Sequence, residues 1–222
     1  MNSSKLEQLG LQLIATEEGL TLTDGTLSLR GDFTEMQYRL RPSNLHRELL
    51  VRAAKIKHPD PMKRPLAIDA TAGMGEDALL LAAAGYQVIM YEYNEVIAAL
   101  LEDTLKRAQT SGTELSQIVE HMTLLCENSM IALPELQNKA DIILLDPMFA
   151  SRQKNTLVKK KFQLVSRLEA PCDNGEELFQ AAKAASPGKI IVKRPLKGKT
   201  LTQENPGYSI SGKNIRYDCY VL

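Results

Sequence analysis

Cysteine is scarce in this chain of 222 residues, and its three copies are widely separated: Cys126, Cys172 and Cys219. An odd number of cysteines without a CxxC pair argues against a disulfide framework and against a zinc site. The three histidines show no metal-ligand spacing either, so we expect no bound metal. The cysteine pattern favours a reducing compartment, the cytoplasm.

Net charge is also absent, because 27 lysines and arginines balance 27 aspartates and glutamates. Any attraction to a polyanion must therefore come from local clusters of cations. No apolar stretch approaches the length of a membrane-spanning helix, and the N-terminus lacks the basic start and apolar core of a signal peptide. We expect a soluble, intracellular protein with no membrane contact.

What the sequence does have, from Leu66 onwards, is a series of short apolar segments that alternate with helical patterns. Fully apolar strands separated by helices indicate a parallel sheet covered on both faces. The last segment, YSISGKNIRYDCYVL, predicts an antiparallel hairpin around 212–214. The sequence thus predicts an α/β class I methyltransferase fold: a Rossmann-like, mostly parallel seven-stranded sheet with an antiparallel C-terminal hairpin. Strands are predicted at 66–70, 87–92, 122–126, 141–146 and 189–195, with helices from about Glu76, from Asn94 to about Gln109, and near Ser129.

The N-terminal part has a different pattern. Apolar and polar residues alternate from Leu9 to Phe33, and Asp24-Gly25 supplies the turn chemistry of a hairpin. Within residues 38–57, Ser43 or Asn44 can cap an amphipathic helix that carries Leu45, Leu49, Leu50, Ala53 and Ile56 on one side. Three prolines between 58 and 65 cannot continue that helix. We predict a β-hairpin and helix appendage at 1–64 and a methyltransferase domain at 65–222.

A glycine turn follows the first parallel strand and opens into a helix. It contains Asp69, Gly73 and Gly75, followed by Glu76 and Asp77. Glycines here let the backbone turn sharply and approach a ligand at the carboxyl edge of the sheet. The spacing matches neither GxGxxG nor GK[ST], which favours a ligand without phosphates. A tight turn with no ligand is the alternative interpretation.

An acidic residue follows each of two later predicted strands. Glu92 follows the second strand, where a carboxylate can accept both hydroxyl hydrogens of a ribose. Asp146-Pro147-Met148-Phe149 follows a later strand and has the form of the [DN]PP[YF] loop of amino methyltransferases. The Asp146 carboxylate and the Pro147 carbonyl can accept the two hydrogens of an exocyclic amine, while Phe149 stacks on the base. These residues predict S-adenosylmethionine as methyl donor, with S-adenosylhomocysteine as product.

A cationic segment comes directly after this loop and contains no acidic residue between 151 and 161. Its place beside the predicted catalytic loop favours contact with RNA phosphates, although such a run is often only a solvated helix face. Two further cations end the strand at 189–195 on the same edge. The predicted RNA contacts are Arg152, Lys154, Lys159, Lys160, Lys161, Lys193 and Arg194.

The segments DATAGMGEDA, YEYNEVIAALLED, DPMF followed by RQKNTLVKK, and IIVKRP together resemble the bacterial RsmJ-like family of 16S ribosomal RNA guanine-N2 methyltransferases. The resemblance runs from about Leu20 to the C-terminus. It implies methylation of a guanine N2 amine in small-subunit ribosomal RNA. It also implies that S-adenosylmethionine is bound by Glu76, Asp77, Glu92, Tyr93, Asn128, Ser129 and Asp146.

The chain departs from the family pattern at three places. The family commonly has arginine where this chain has Glu76, and a second serine at Asn128. A glycine-rich basic segment is replaced by PSNLHRE at 42–48, in which Arg47 remains as a predicted RNA contact. Two rival functions stay open: an adenine-N6 or protein-glutamine methyltransferase, and a nucleotide- or RNA-binding module without catalysis.

Overall fold

The computed structural model describes residues 3–57, 62–147, 163–168 and 173–222. Its centre is a seven-stranded sheet with the strand order β6-β5-β4-β7-β8-β10-β9. The first five strands in this order are parallel, and β10 pairs antiparallel with both β8 and β9. The predicted parallel sheet with a closing hairpin is therefore confirmed. The strands are β4 (Leu66–Asp69), β5 (Gln87–Tyr91), β6 (Met122–Leu125), β7 (Ile142–Leu145), β8 (Lys189–Pro195), β9 (Tyr208–Ser211) and β10 (Ile215–Val221).

Helices cover both faces of this sheet. They are α5 (Glu76–Ala83), α6 (Glu95–Gln109), α7 (Glu114–Val119), α8 (Ser129–Ala132), a 3-10 turn (Leu133–Glu135) and α9 (Gly175–Ala184), and residues 163–168 are also helical. Successive residues of β7 belong to opposite apolar clusters, with Ile142 and Leu144 in one and Ile143 and Leu145 in the other. This two-sided burial is why β7 is apolar throughout.

The N-terminal residues form α1 (Ser3–Gln8) and a three-stranded antiparallel sheet of β1 (Gln12–Thr16), β2 (Gly19–Thr23) and β3 (Ser28–Leu29). The Asp24-Gly25 turn is confirmed and joins β2 to β3. The Asp24 Oδ1 accepts the backbone N–H groups of Thr26 and Leu27 at 2.9 and 2.8 Å. Leu22 and Leu29 from this small sheet pack in one cluster with residues of α6.

The helix predicted to begin at Ser43 or Asn44 is shorter than expected, because only Leu49, Leu50 and Ala53 of its predicted apolar side share one helix. The chain instead forms α2 (Gln37–Leu40), α3 (Pro42–Leu45) and α4 (Leu49–Ala54), separated by extended residues at Arg41 (ψ 135°) and Glu48 (ψ 131°). Arg41 precedes a proline, which disfavours helical backbone there. The Asn44 side chain does not cap a helix but donates to the Tyr38 carbonyl. Tertiary contacts decide the other break, since Glu48 accepts a two-point hydrogen bond from Arg39.

Two buried donors fix the end of α4 against the large sheet. The Tyr86 hydroxyl donates to the Ala54 carbonyl at 2.6 Å. The Lys189 ammonium donates to the carbonyls of Ala53 and Lys55 at 2.8 and 3.0 Å. These bonds satisfy carbonyls that have no partner inside the helix. The division of the chain at 64/65 stays a prediction, and the proposed proline boundary lies partly outside the described residues.

Within the described ranges, no helix is long and apolar enough to cross a membrane. In the same ranges, Cys126 and Cys219 are free thiols.

Gly75 offers a test of how the glycine turn is packed. It has φ +77°, and a Cβ built there would lie 2.6 Å from Leu101 Cδ1, a fully buried side chain. Gly75→Ala should lower the free energy of unfolding by about 2–4 kcal/mol, from backbone strain and overpacking together. Gly85→Ala is the matched control, because Gly85 also has positive φ (+101°) but no atom within 4 Å of a Cβ. Urea unfolding of both variants should show the larger loss at Gly75; equal losses would contradict the packing argument.

Candidate active site

Three strand ends meet at one edge of the large sheet. Asp69 at the end of β4 lies opposite Met90 of β5 and Leu144 of β7 in the parallel registers. The loop after β4 is joined to both neighbours, because Ala70 N–H donates to the Leu144 carbonyl and Ala72 N–H donates to the Tyr91 carbonyl, each at 3.0 Å. The glycine turn, Glu92 and Asp146 are therefore brought together, as predicted.

Glu92 is buried and holds the glycine turn through its carboxylate. Its Oε2 accepts the Gly73 N–H at 3.0 Å, and its Oε1 accepts the Asn94 N–H at 2.8 Å. Burial raises the pKa of Glu92, and the backbone N–H groups of Asn94 and Gly73 oppose that rise. Gly73 has φ +53° and open space where a Cβ would stand. The turn thus leaves room beside a carboxylate for a ligand to approach the backbone.

A cavity of about 450 Å³ opens at this edge. Its wall includes seven residues that the sequence predicts: Gly73, Glu92, Tyr93, Asn128, Ser129, Asp146 and Pro147. It also includes residues that the prediction missed, among them Thr71, Met74, Ile97, Glu127, Met130, Asn174 and Leu178. Ile97 and Leu178 come from helices, and no local motif marks them as ligand contacts. Met74, Glu127 and Met130 are adjacent to predicted residues, and Thr71 lies between Asp69 and Gly73, so these four could have been found from the motifs.

Four predicted cofactor residues do not line this cavity. Asp69 is buried and accepts the Thr71 N–H at 3.1 Å, so it supports the loop from behind. Burial, with added repulsion from Asp77, raises the pKa of Asp69 to about 8, which keeps the carboxyl largely protonated at neutral pH. Gly75 is buried, and Glu76 is exposed at the start of α5. Asp77 forms an ion pair with a lysine.

That lysine is Lys193, whose ammonium lies between two carboxylates. Its Nζ is 2.6 Å from Asp77 Oδ2 and 2.9 Å from Asp146 Oδ2. Desolvation lowers the pKa of Lys193, but the two carboxylates outweigh it and hold that pKa well above its ordinary value. Burial raises the pKa of Asp146, and the Lys193 ammonium opposes this rise. The Asp146 N–H donates to the Thr71 hydroxyl at 2.7 Å, which ties the two loops together.

The predicted RNA contacts that the structure describes differ in exposure. Lys193 does not offer an exposed charge, because its ammonium lies between Asp77 and Asp146, and Arg194 is buried with its Nε donating to the Lys199 carbonyl. Contact of these two cations with RNA stays a prediction, because Lys193 is half-buried and Arg194 is buried. Arg47 is exposed. The remaining predicted contacts at 152–161, and the stacking residue Phe149, lie outside the described residues.

The cavity suits an adenosylated, sulfonium-bearing ligand. Glu92 offers carboxylate oxygens where a ribose would lie, and Ile97, Met130 and Leu178 give an apolar wall for a purine. Gly73 leaves the space that a side chain would fill. In the described part of the chain, no group of three His, Cys, Asp or Glu is arranged to hold a metal ion.

A mostly parallel seven-stranded sheet with an antiparallel hairpin and a ligand cavity at its carboxyl edge defines a class I methyltransferase. Residues 2–222 match the SAM-dependent methyltransferase family, and the chain belongs to this family. S-adenosylmethionine is accordingly its cofactor.

Curated relatives and a solved structure agree with this assignment. The chain is 35% identical over 225 residues to ribosomal RNA small subunit methyltransferase J of Thioalkalivibrio sulfidiphilus, covering 97% of this chain and 87% of that protein. It is 38% identical over 186 residues to the protein of the same name from Rhodopseudomonas palustris, covering 83% of each. A crystal structure of a SAM-dependent methyltransferase from Neisseria gonorrhoeae is similar with a TM-score of 0.74 and 28% identity, over 96% of this chain and 83% of that one.

Glu92 can be tested as a cofactor contact by calorimetry. Glu92→Gln should weaken S-adenosylmethionine binding at least about 10-fold, because a charged acceptor contributes more than a neutral one and an amide has one acceptor oxygen instead of two. Glu102→Gln is the control, since Glu102 is an exposed residue of α6 that pairs with Lys106. Wild-type affinity in Glu92→Gln would exclude this carboxylate from the cofactor site.

The Thr71 hydroxyl can be tested as the tie between the loops. Thr71→Val should lower the free energy of unfolding by about 1–3 kcal/mol, because the part-buried Asp146 N–H loses its acceptor. Thr71→Ser keeps the hydroxyl and should remain within about 0.5 kcal/mol of the wild type, as substitutions that preserve such features usually do. Urea denaturation compares the two variants, and similar losses in both would show that the hydroxyl does not matter.

Proposed function

We propose that this chain methylates the exocyclic N2 amine of a guanine in 16S ribosomal RNA, producing S-adenosylhomocysteine. The observation that carries the proposal is the position of Asp146 and Pro147 on the wall of the cavity that Glu92 and the glycine turn define. An acidic side chain and a backbone carbonyl beside a methyl-donor site suit an acceptor that presents an NH₂ group. A mere binding module would not need this arrangement.

The chemistry follows from the poor nucleophilicity of such an amine, whose lone pair is delocalised into the purine ring. S-adenosylmethionine supplies an electrophilic methyl group when it is bound. The Asp146 carboxylate and the Pro147 carbonyl accept the two amine hydrogens and so direct the nitrogen lone pair out of the ring plane. Methyl transfer would form the C–N bond and break the S–CH₃ bond of the donor, with S-adenosylhomocysteine as the leaving group. The amine would give up one proton, for which Asp146 is the nearby acceptor. A base flipped out of its stack can reach this position.

Ribosomal RNA is the proposed substrate because the curated relatives are named small-subunit ribosomal RNA methyltransferases and cover most of this chain. Arg47, an exposed cation, and the basic residues at 152–161 are the proposed phosphate contacts. We place the reaction in the cytoplasm, where ribosomal RNA and reduced thiols coexist.

Methyl transfer to defined acceptors tests the proposal. Small ribosomal subunits and deproteinised 16S RNA from a strain lacking the gene are incubated with tritiated S-adenosylmethionine, and the digested nucleosides are identified by mass spectrometry. N2-methylguanosine is expected, and Asp146→Asn should lower kcat at least about 100-fold because a preorganised charged acceptor is lost. N6-methyladenosine, or label in protein glutamine, would overturn the proposal in favour of the corresponding rival.

A further inference from the structure

Lys193 has a position that neither RNA contact nor cofactor binding explains. It lies on β8, the strand beside β7, and β7 leads directly into Asp146. Its ammonium contacts one carboxylate on each side, with side-chain exposures of 24% for Lys193, 15% for Asp77 and 36% for Asp146. Lys193 does not line the cavity, whereas Asp146 does. The lysine therefore reaches the site only through the aspartate.

We propose that Lys193 is a positioning residue whose ammonium, anchored on Asp77, holds the Asp146 carboxylate ionised and in place to accept the target amine. This inference rests on the proposed function, because it assigns Lys193 a role in that same site. It also replaces two expectations: Lys193 as a phosphate contact and Asp77 as a cofactor contact.

Geometry supports an anchored cation rather than a loose one. Asp77 is in the first turn of α5, a rigid element with buried residues on either side of its axis, and its carboxylate is favoured there by the helix dipole. The shorter of the two contacts, 2.6 Å, is the one to this helix. Asp146 follows the end of β7 and is held from the other side by Thr71. The Asp146 backbone is thus held by the loop after β4, and its carboxylate is held by Lys193, which is anchored on α5.

Stability alone is a weak reason for such a cluster. Removing two carboxylates and an ammonium from water costs about as much as their mutual attraction returns, so a buried ion pair adds little net stability. The effect of the Lys193 ammonium on Asp146 is a stronger reason, because an amine acceptor must be both charged and correctly placed. The surrounding groups do not replace the lysine. Burial and the Asp77 charge raise the pKa of Asp146, and the Arg194 guanidinium lowers that pKa less than the Lys193 ammonium does.

Kinetics of Lys193→Met against Lys189→Met tests the role. Lys189 is the matched control: it lies four positions earlier on β8, is also buried, and donates to backbone carbonyls of the N-terminal segment. Lys193→Met should lower kcat about 100-fold, the scale of a small misplacement of a catalytic group. S-adenosylmethionine affinity, measured by calorimetry, should stay within about two-fold of the wild type, because the lysine does not line the cavity. Lys189→Met should lower stability without this fall in kcat.

The pH profile distinguishes positioning from simple support of the fold. Without the ammonium, the acid limb of kcat should move to higher pH by at least about one unit, because an opposite charge within contact distance lowers a carboxyl pKa by about that much or more. The other ionisable groups facing this pair are Asp69, Asp77, Tyr217, Arg39 and Arg194. Lys193→Arg keeps the positive charge and should restore the limb to near its wild-type position, with partial recovery of kcat.

A direct measurement separates failure of this inference from failure of the proposed function. The side-chain carboxyl ¹³C resonance of Asp146, assigned with Asp146→Asn, is titrated in the wild type and in Lys193→Met without any substrate. A higher midpoint in the variant supports the inference even if the wild type fails to methylate guanine. An unchanged midpoint with unchanged kcat overturns it, and so does a loss of S-adenosylmethionine affinity that accounts for the whole kinetic defect.

Discussion

The site depends on the parallel register of β4 with β5 and β7. Asp69 lies level with Met90 and Leu144, so the chain leaves the sheet at the same height each time. Three loops that are far apart in sequence therefore emerge side by side, and hydrogen bonds from Ala70 and Ala72 hold the first loop to its neighbours. A slip of one residue would send every apolar side chain of a strand to the opposite face. The continuous apolar packing on both faces thus also fixes the position of the polar residues at the edge.

Charge at this edge is concentrated and unevenly compensated. Among the residues that the structure describes, Asp69, Asp77 and Asp146 share one nearby ammonium, that of Lys193. The deepest of the three, Asp69, avoids the cost of a buried charge by taking a proton, since burial raises its pKa to about 8. The two others keep the cation between them. Asp69 thus supports the loop as a neutral group, whereas Asp77 and Asp146 pair with Lys193 beside the cavity. This division suits a site for a cationic donor and a neutral amine.

The sequence was informative where a residue pattern depends on local chemistry. The strands could be located because each of β4, β5, β7 and β8 contains a run of apolar residues. The helix predicted from Asn94 is α6, where the Asn94 Oδ1 accepts from Val96 and Ile97. Because parallel strands end at the same edge of a sheet, Gly73, Glu92 and Asp146 could be predicted to lie together, and they line one cavity. Helix periodicity predicted too long a helix after Asn44, because apolar spacing does not register the break at Glu48, which pairs with Arg39.

Pairings over long separations were out of reach of any sequence pattern. Asp77 and Lys193 are 116 residues apart, and the sequence assigned them to different partners, the cofactor and RNA. Thr71 and Asp146 are separated by 75 residues, and nothing in either motif announces their hydrogen bond. Such contacts are consequences of sheet order rather than of local sequence. They became visible only when β7 was placed between β4 and β8.

The hydrogen bonds from Lys189 to the end of α4 carry a consequence for how the chain folds. They join residues 134 and 136 positions apart, so the last carbonyls of that helix stay without these partners until β8 has joined the sheet. Contacts between such distant segments pay the loop-closure entropy of the intervening chain and are associated with slow folding. A nascent chain that has emerged only as far as the glycine turn holds every residue of α4 but lacks the lysine that completes it. The end of α4 therefore gains these hydrogen bonds only after a residue more than 130 positions later has been synthesised.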